Sequence, residues 1–151
     1  MNQIDMNTWS ANWMWSLPLI VVVVVFHTFC LALLNGRVIR VISNVGKHRV
    51  SQLVAMRVMG ATVLSVTVLH GVEAMVWAGA FLLLGALPDR KTAMLYSLSA
   101  MTAYGHADIY LLPHWQFSGA LEALNGMILF GLTTAFLFTV IQQVWPHVAQ
   151  G

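Results

Sequence analysis

The chain has 151 residues, of which 59% are hydrophobic and 8% charged, with a net charge of +2 and a mean hydropathy of +0.78. A water-soluble domain carries about 25% charged residues, so most of this chain faces lipid and a soluble globular fold is excluded. The small net charge and the lack of a basic tract offer nucleic acid no binding surface, and Cys30, the one cysteine, forms no intrachain disulfide.

Three segments are apolar for long enough to cross a bilayer, which takes about 20 residues of helix. The first, from about Met14 to Leu34, holds the block Val21-Val22-Val23-Val24-Val25. Asp5 precedes it, with no Lys or Arg, unlike the basic start of a signal peptide, so a retained helix is expected. Residues 1–35 then comprise an extracytoplasmic segment and the first transmembrane helix, and residues 36–57 a basic connection. The second span runs from about Val58 to Leu87 and stops at Pro88-Asp89. The third runs from about Phe117 to Trp145, with Pro146 as its stop and residues 146–151 as a tail. Arg37, Arg40, Lys47, Arg49 and Arg57 lie between the first two spans, and only Arg90 and Lys91 lie elsewhere. The positive-inside rule puts that connection and the C-terminus in the cytoplasm, and the N-terminus and residues 88–116 outside. Trp9, Trp13, Trp15, Trp115 and Trp145 fall near the ends of spans, where an interfacial aromatic belt belongs.

Residues 89–116 are too apolar for an exposed loop. Lys91 to Thr102 reads as a helix of about three turns opened by Pro88 and Asp89, too short to span. Ala103-Tyr104-Gly105-His106-Ala107-Asp108 follows, small and polar, and then Ile109-Tyr110-Leu111-Leu112-Pro113. Irregular backbone at membrane depth is tolerated only inside protein or against a water-filled cavity. Span, short helix, irregular hairpin and span is the layout of a tetrameric cation pore, in which rings of carbonyls replace an ion's water shell. A plain interfacial helix and outer loop is the alternative on layout alone.

The residues themselves resemble the bacterial two-transmembrane potassium-channel-like family, whose pore helix leads into Thr-Thr-x-Gly-Tyr-Gly-Asp. Laid without a gap, Ala93, Tyr96, Ser97, Met101 and Thr102 match the pore helix, Gly105 the first filter glycine, and Asp108-Ile109 the closing pair. Leu112-Pro113-His114-Trp115, then Gly119 to Gly126 and Phe130 to Phe138, are similar to the inner-helix region. A competing alignment pairs Tyr104-Gly105 with the filter Tyr-Gly but leaves Asp108 without a counterpart. The resemblance covers about residues 58–145 and implies an all-α membrane fold. Its outer helix would be 58–87, its pore helix and filter 89–109, and its inner helix 117–145, with the first span as an addition. It further implies a homotetramer, with Thr102, Ala103, Tyr104, Gly105, His106, Ala107 and Asp108 as the filter and K+ or Na+ as the permeant ion. Ala103, His106 and Ala107 depart from the pattern. A Cβ at a filter glycine costs about 1 kcal/mol or more in each chain, and a ring of four histidines changes charge between about pH 5 and 8. The implied pore is weakly selective, unusual in its selectivity or, at the extreme, a non-conducting accessory protein.

Ionisable residues within spans are functional candidates because lipid makes them expensive. His70 and Glu73 lie three apart on one face of the second span, as a structural pair or a cation or proton site. Glu122 and Asn125 lie three apart on the third, where the resemblance makes Glu122 a filter support or a cation attractor. Gly126 and Gly131 are hinge candidates or close-packing positions. Thr133 and Thr134 line a cavity or bond back to their own helix. His27, alone in the first span, reads as a packing residue; with His70 at similar depth it leaves open a haem- or metal-binding membrane protein. No catalytic triad, phosphate-binding loop or paired-carboxylate site occurs, so no enzyme, resident cofactor or metal is expected, and the expected partners are membrane lipid and further copies of the chain.

Overall fold

A computed structural model of the chain describes residues 6–44, 52–102, 104–105 and 108–149. Its elements are α1 (Met6–Asn44), α2 (Gln52–Leu83), α3 (Arg90–Met101), a single 3₁₀ turn (Pro113–Trp115) and α4 (Gln116–Ala149), with no strand among the described residues. Three stretches are long and apolar enough to cross a membrane, Trp9–Asn44, Gln52–Leu83 and Pro113–Val144. Even the shortest, at 32 residues, measures about 48 Å at 1.5 Å per residue against about 30 Å of hydrocarbon.

The helices therefore outrun the apolar segments that announce them. Residues 36–44 and 52–57, expected as connection, are helical, because arginine is a good helix former and a helix need not stop where lipid does. Lys47 and Arg49 lie outside the described residues. Pro18 sits within α1, and α4 continues past Pro146, the expected stop, to Ala149. A proline removes one N–H but does not by itself unwind a final turn. Conversely, α2 ends at Leu83 and not at Leu87. Gly85 takes a left-handed φ of 64° there. The Ala86 N–H donates to the Phe81 carbonyl (2.8 Å) and the Gly85 N–H to Leu82 (3.1 Å). These two bonds form a Schellman cap, whose turning position favours a residue without Cβ.

The chain forms two compact units, Met1–Val25 with His70–Leu129 and Phe26–Leu69 with Phe130–Gly151. The first has its core in Val23, Trp77, Phe81, Tyr96, Leu111 and Leu129, so that α3 is packed among segments of the long helices. Val21, Val22 and Val25, in the same run as Val23, stay about 60% exposed (59%, 61% and 60%), a surface that is stable against lipid and not against water. The second unit packs Leu31 and Val38 of α1, Val66 and Leu69 of α2, and Phe136 and Val140 of α4. Each helix contributes residues at spacings of three, four or seven, the period of one helical face. The Gln143 Nε2 donates to the Asn35 Oδ1 at 3.1 Å in this unit.

Candidate functional site

The short helix α3 begins at Asp89. The Asp89 Oδ1 accepts from the backbone N–H groups of Lys91 (2.9 Å) and Thr92 (3.0 Å), and its Oδ2 from the Thr92 hydroxyl (2.6 Å). These bonds, the Thr92 hydroxyl foremost, hold the Asp89 carboxyl below its ordinary pKa. They also satisfy donors that any helix start leaves open. The buried face of α3 is Ala93, Tyr96, Ser97 and Ala100, with Ser99 beside it, again the spacing of one stripe.

Three contacts fix where α3 lies. The Tyr96 ring meets Phe81 of α2 edge-on, with centroids 5.6 Å apart and planes at 88°. The Tyr96 hydroxyl occupies the place that a Cβ on Gly119 of α4 would need. At the far end of α3, a Cβ on Gly126 would come within 2.5 Å of the Met101 carbonyl oxygen and 2.6 Å of its Cα. Gly126 is thus a close-packing position, one of the two roles foreseen for it, whereas nothing lies within 4 Å of a Cβ on Gly131. The helix closes at Thr102, whose N–H (3.1 Å) and hydroxyl (2.6 Å) both donate to the Leu98 carbonyl.

Beyond it, Thr102, Tyr104, Gly105 and Asp108 are exposed, and Gly105 has a left-handed φ of 82°. Ala103, His106 and Ala107 lie outside the described residues. The chain then comes back to its starting point, where the Leu112 N–H donates to the Ala86 carbonyl at 3.4 Å.

Behind α3 lies a buried polar cluster. Glu122, Asn125 and Ser97 are fully buried. Neither Glu122 oxygen nor the amide of Asn125 has a hydrogen-bond partner among the described residues. The Ser97 hydroxyl interacts with the Glu122 carboxyl but falls outside hydrogen-bonding geometry. Unsatisfied buried polar groups cost free energy. In the same unit Glu73 is fully buried and its Oε2 lies 3.2 Å from the His70 Nδ1.

Sequence reasoning missed the anchor of α4. The buried Asn12 donates from Nδ2 to the His114 carbonyl (2.7 Å), and its Oδ1 accepts from the Ser118 N–H (3.0 Å) and hydroxyl (2.6 Å). Trp9 stacks on Phe117 beside it at 4.3 Å. A lone Asn between tryptophans in an apolar helix was the available signal. In the second unit the His27 Nε2 pairs with the Thr133 Oγ1 at 3.1 Å, both buried. Thr134 is exposed and bonds back to the Phe130 carbonyl at 2.8 Å.

No protein family, characterised protein or solved structure gives a match to this chain.

Proposed function

We propose that the chain is one subunit of a potassium-channel-like homotetrameric cation pore with an altered filter, set in a bacterial cytoplasmic membrane. What carries this assignment is the course of α3. It lies beside α4 from Gly119, at Tyr96, to Gly126, at Met101, and the chain then returns to Ala86. Gly126 lies ten residues along α4 from Gln116, a rise of about 15 Å at 1.5 Å per residue, against a hydrocarbon core of about 30 Å. With the lipid boundary near Gln116, α3 would end about halfway into the core and return, as a re-entrant helix does. Its C-terminus carries the negative end of the helix dipole, which favours a cation beside it.

One chain supplies one such hairpin, so an ion path needs several around an axis. Exposed apolar groups on the hairpin, Tyr104 at 87% and Tyr110 at 70%, support contact with neighbouring copies or lipid. Glu122, Asn125 and Ser97 would support the hairpin from behind, and Thr102 to Asp108 would form the filter. The permeant ion is monovalent, K+ or Na+; the basic segment 36–57 faces the cytoplasm and the N-terminus the outside.

Purified protein in vesicles is expected to carry K+ or Na+ above the background of empty vesicles, and to be a tetramer in detergent. His106→Tyr combined with Ala107→Gly is expected to raise K+ over Na+ selectivity. A protein that moves neither ion, or that is monomeric, overturns the proposal.

A further inference from the structure

We propose that the second unit holds a built site for an anionic membrane phospholipid, in the groove between α1 and α2 that contains Arg37 and Arg57. The groove encloses about 310 Å³. Its apolar wall is Leu34, Val38 and Val41 of α1 with Val58 and Ala61 of α2, residues at helical spacing that put one face of each helix against the same space. Thr62 and Ser65 also line it, but their hydroxyls donate to the Val58 and Ala61 carbonyls at 2.7 Å. The polar recognition is left to the two guanidinium groups.

Charge complementarity identifies the occupant. Neither Phe26–Leu69 nor Phe130–Gly151 contains a single Asp or Glu, so no acidic side chain of this unit neutralises Arg37 or Arg57. Guanidinium groups bind phosphate oxygens in a two-pronged geometry, and basic pockets between membrane helices select anionic headgroups. An inorganic phosphate would use the arginines but not the apolar wall beneath them. A phospholipid uses both, with its phosphodiester at Arg37 and Arg57 and the start of its acyl chains along Val38, Val41 and Val58. Arg40 is a neighbour of different kind, since its Nε donates to the Gly36 carbonyl of its own helix at 3.2 Å.

Native mass spectrometry of the full chain in detergent tests the site, with phosphatidylglycerol and phosphatidylcholine of identical acyl chains added in parallel. The wild-type chain is expected to retain phosphatidylglycerol preferentially. Each arginine contributes about a fivefold preference, so Arg37→Gln with Arg57→Gln is expected to lose about 25-fold. Arg40→Gln with Arg90→Gln, which removes the same formal charge, is expected to lose little. Equal retention of the two lipids by the wild type overturns the proposal, a comparison that needs no variant to fold. Equal loss in both double variants at unchanged helical content reduces the effect to net charge and also overturns it. Displacement of the lipid by inorganic phosphate alone would mean an ion site and not a lipid site.

Discussion

Two missing methyl groups decide where α3 docks. Gly119 and Gly126 of α4 stand where the Tyr96 hydroxyl and the Met101 backbone approach. Gly119→Ala is expected to cost about 1–3 kcal/mol, the range for overpacking a filled site, read as a lower midpoint of thermal unfolding in detergent. Tyr96→Phe removes the obstructing oxygen, so Gly119→Ala in a Tyr96→Phe background is expected to cost much less than in the wild type. Strictly additive effects would mean that the two residues do not meet, since neighbours couple and distant sites do not. Neither glycine could be assigned this role from the chain alone. Small residues are common in membrane helices, and only a facing side chain separates a packing glycine from a neutral one. Gly131, on the same helix, has open space around it. Glu122, Asn125, His70 and Glu73 were legible as candidates because charge and amide groups stand out against an apolar run. Asn12 stands out in the same way, but its role did not, because its partners His114 and Ser118 lie more than a hundred residues away in the chain.

At the level of the element, α3 owes its start to Asp89. Asp89→Ala is expected to leave the Lys91 and Thr92 amides without their acceptor and to speed their hydrogen exchange relative to the amides late in α3. Because the folded chain lowers the Asp89 pKa, the cap is complete above the ordinary aspartate value of about 3.9. It is lost only as pH falls through the lower folded value. Exchange at residues 91 and 92 in the wild type should therefore be flat through neutral pH, after correction for intrinsic rates, and lose protection only in acid. Protection that fades between pH 5 and 8 would assign the cap to another group. Pro88-Asp89 signalled this start within a residue, since capping is a local matter of one side chain and two or three amides. The ends of the long helices were less legible. The Schellman turn at Gly85 and the run of α4 through Pro146 depend on backbone geometry that hydropathy does not record.

Across the whole molecule, three helices long enough to span and a hairpin that leaves from Ala86 and returns at Leu112 make a topological prediction. In a Cys30→Ser background, single cysteines at Thr92 and Tyr110 are expected to react with a membrane-impermeant maleimide added outside intact cells. A cysteine at Asn44 is expected to react only after lysis. Labelling of Asn44 from outside would invert the proposed orientation, and labelling of Thr92 and Tyr110 from opposite sides would turn the hairpin into a fourth crossing.

By itself the sequence determined the membrane-spanning class, the number of long helices and the existence of a short capped helix between the last two. Those properties rest on the apolarity of continuous segments and on hydrogen bonds made within a few residues. The tertiary structure alone decided that α3 runs down α4 to Gly126, that Glu122 and Asn125 lie buried behind it, and that Arg37 and Arg57 share one groove. These depend on which helix faces meet, and a face acquires its neighbours only when distant parts of the chain pack together.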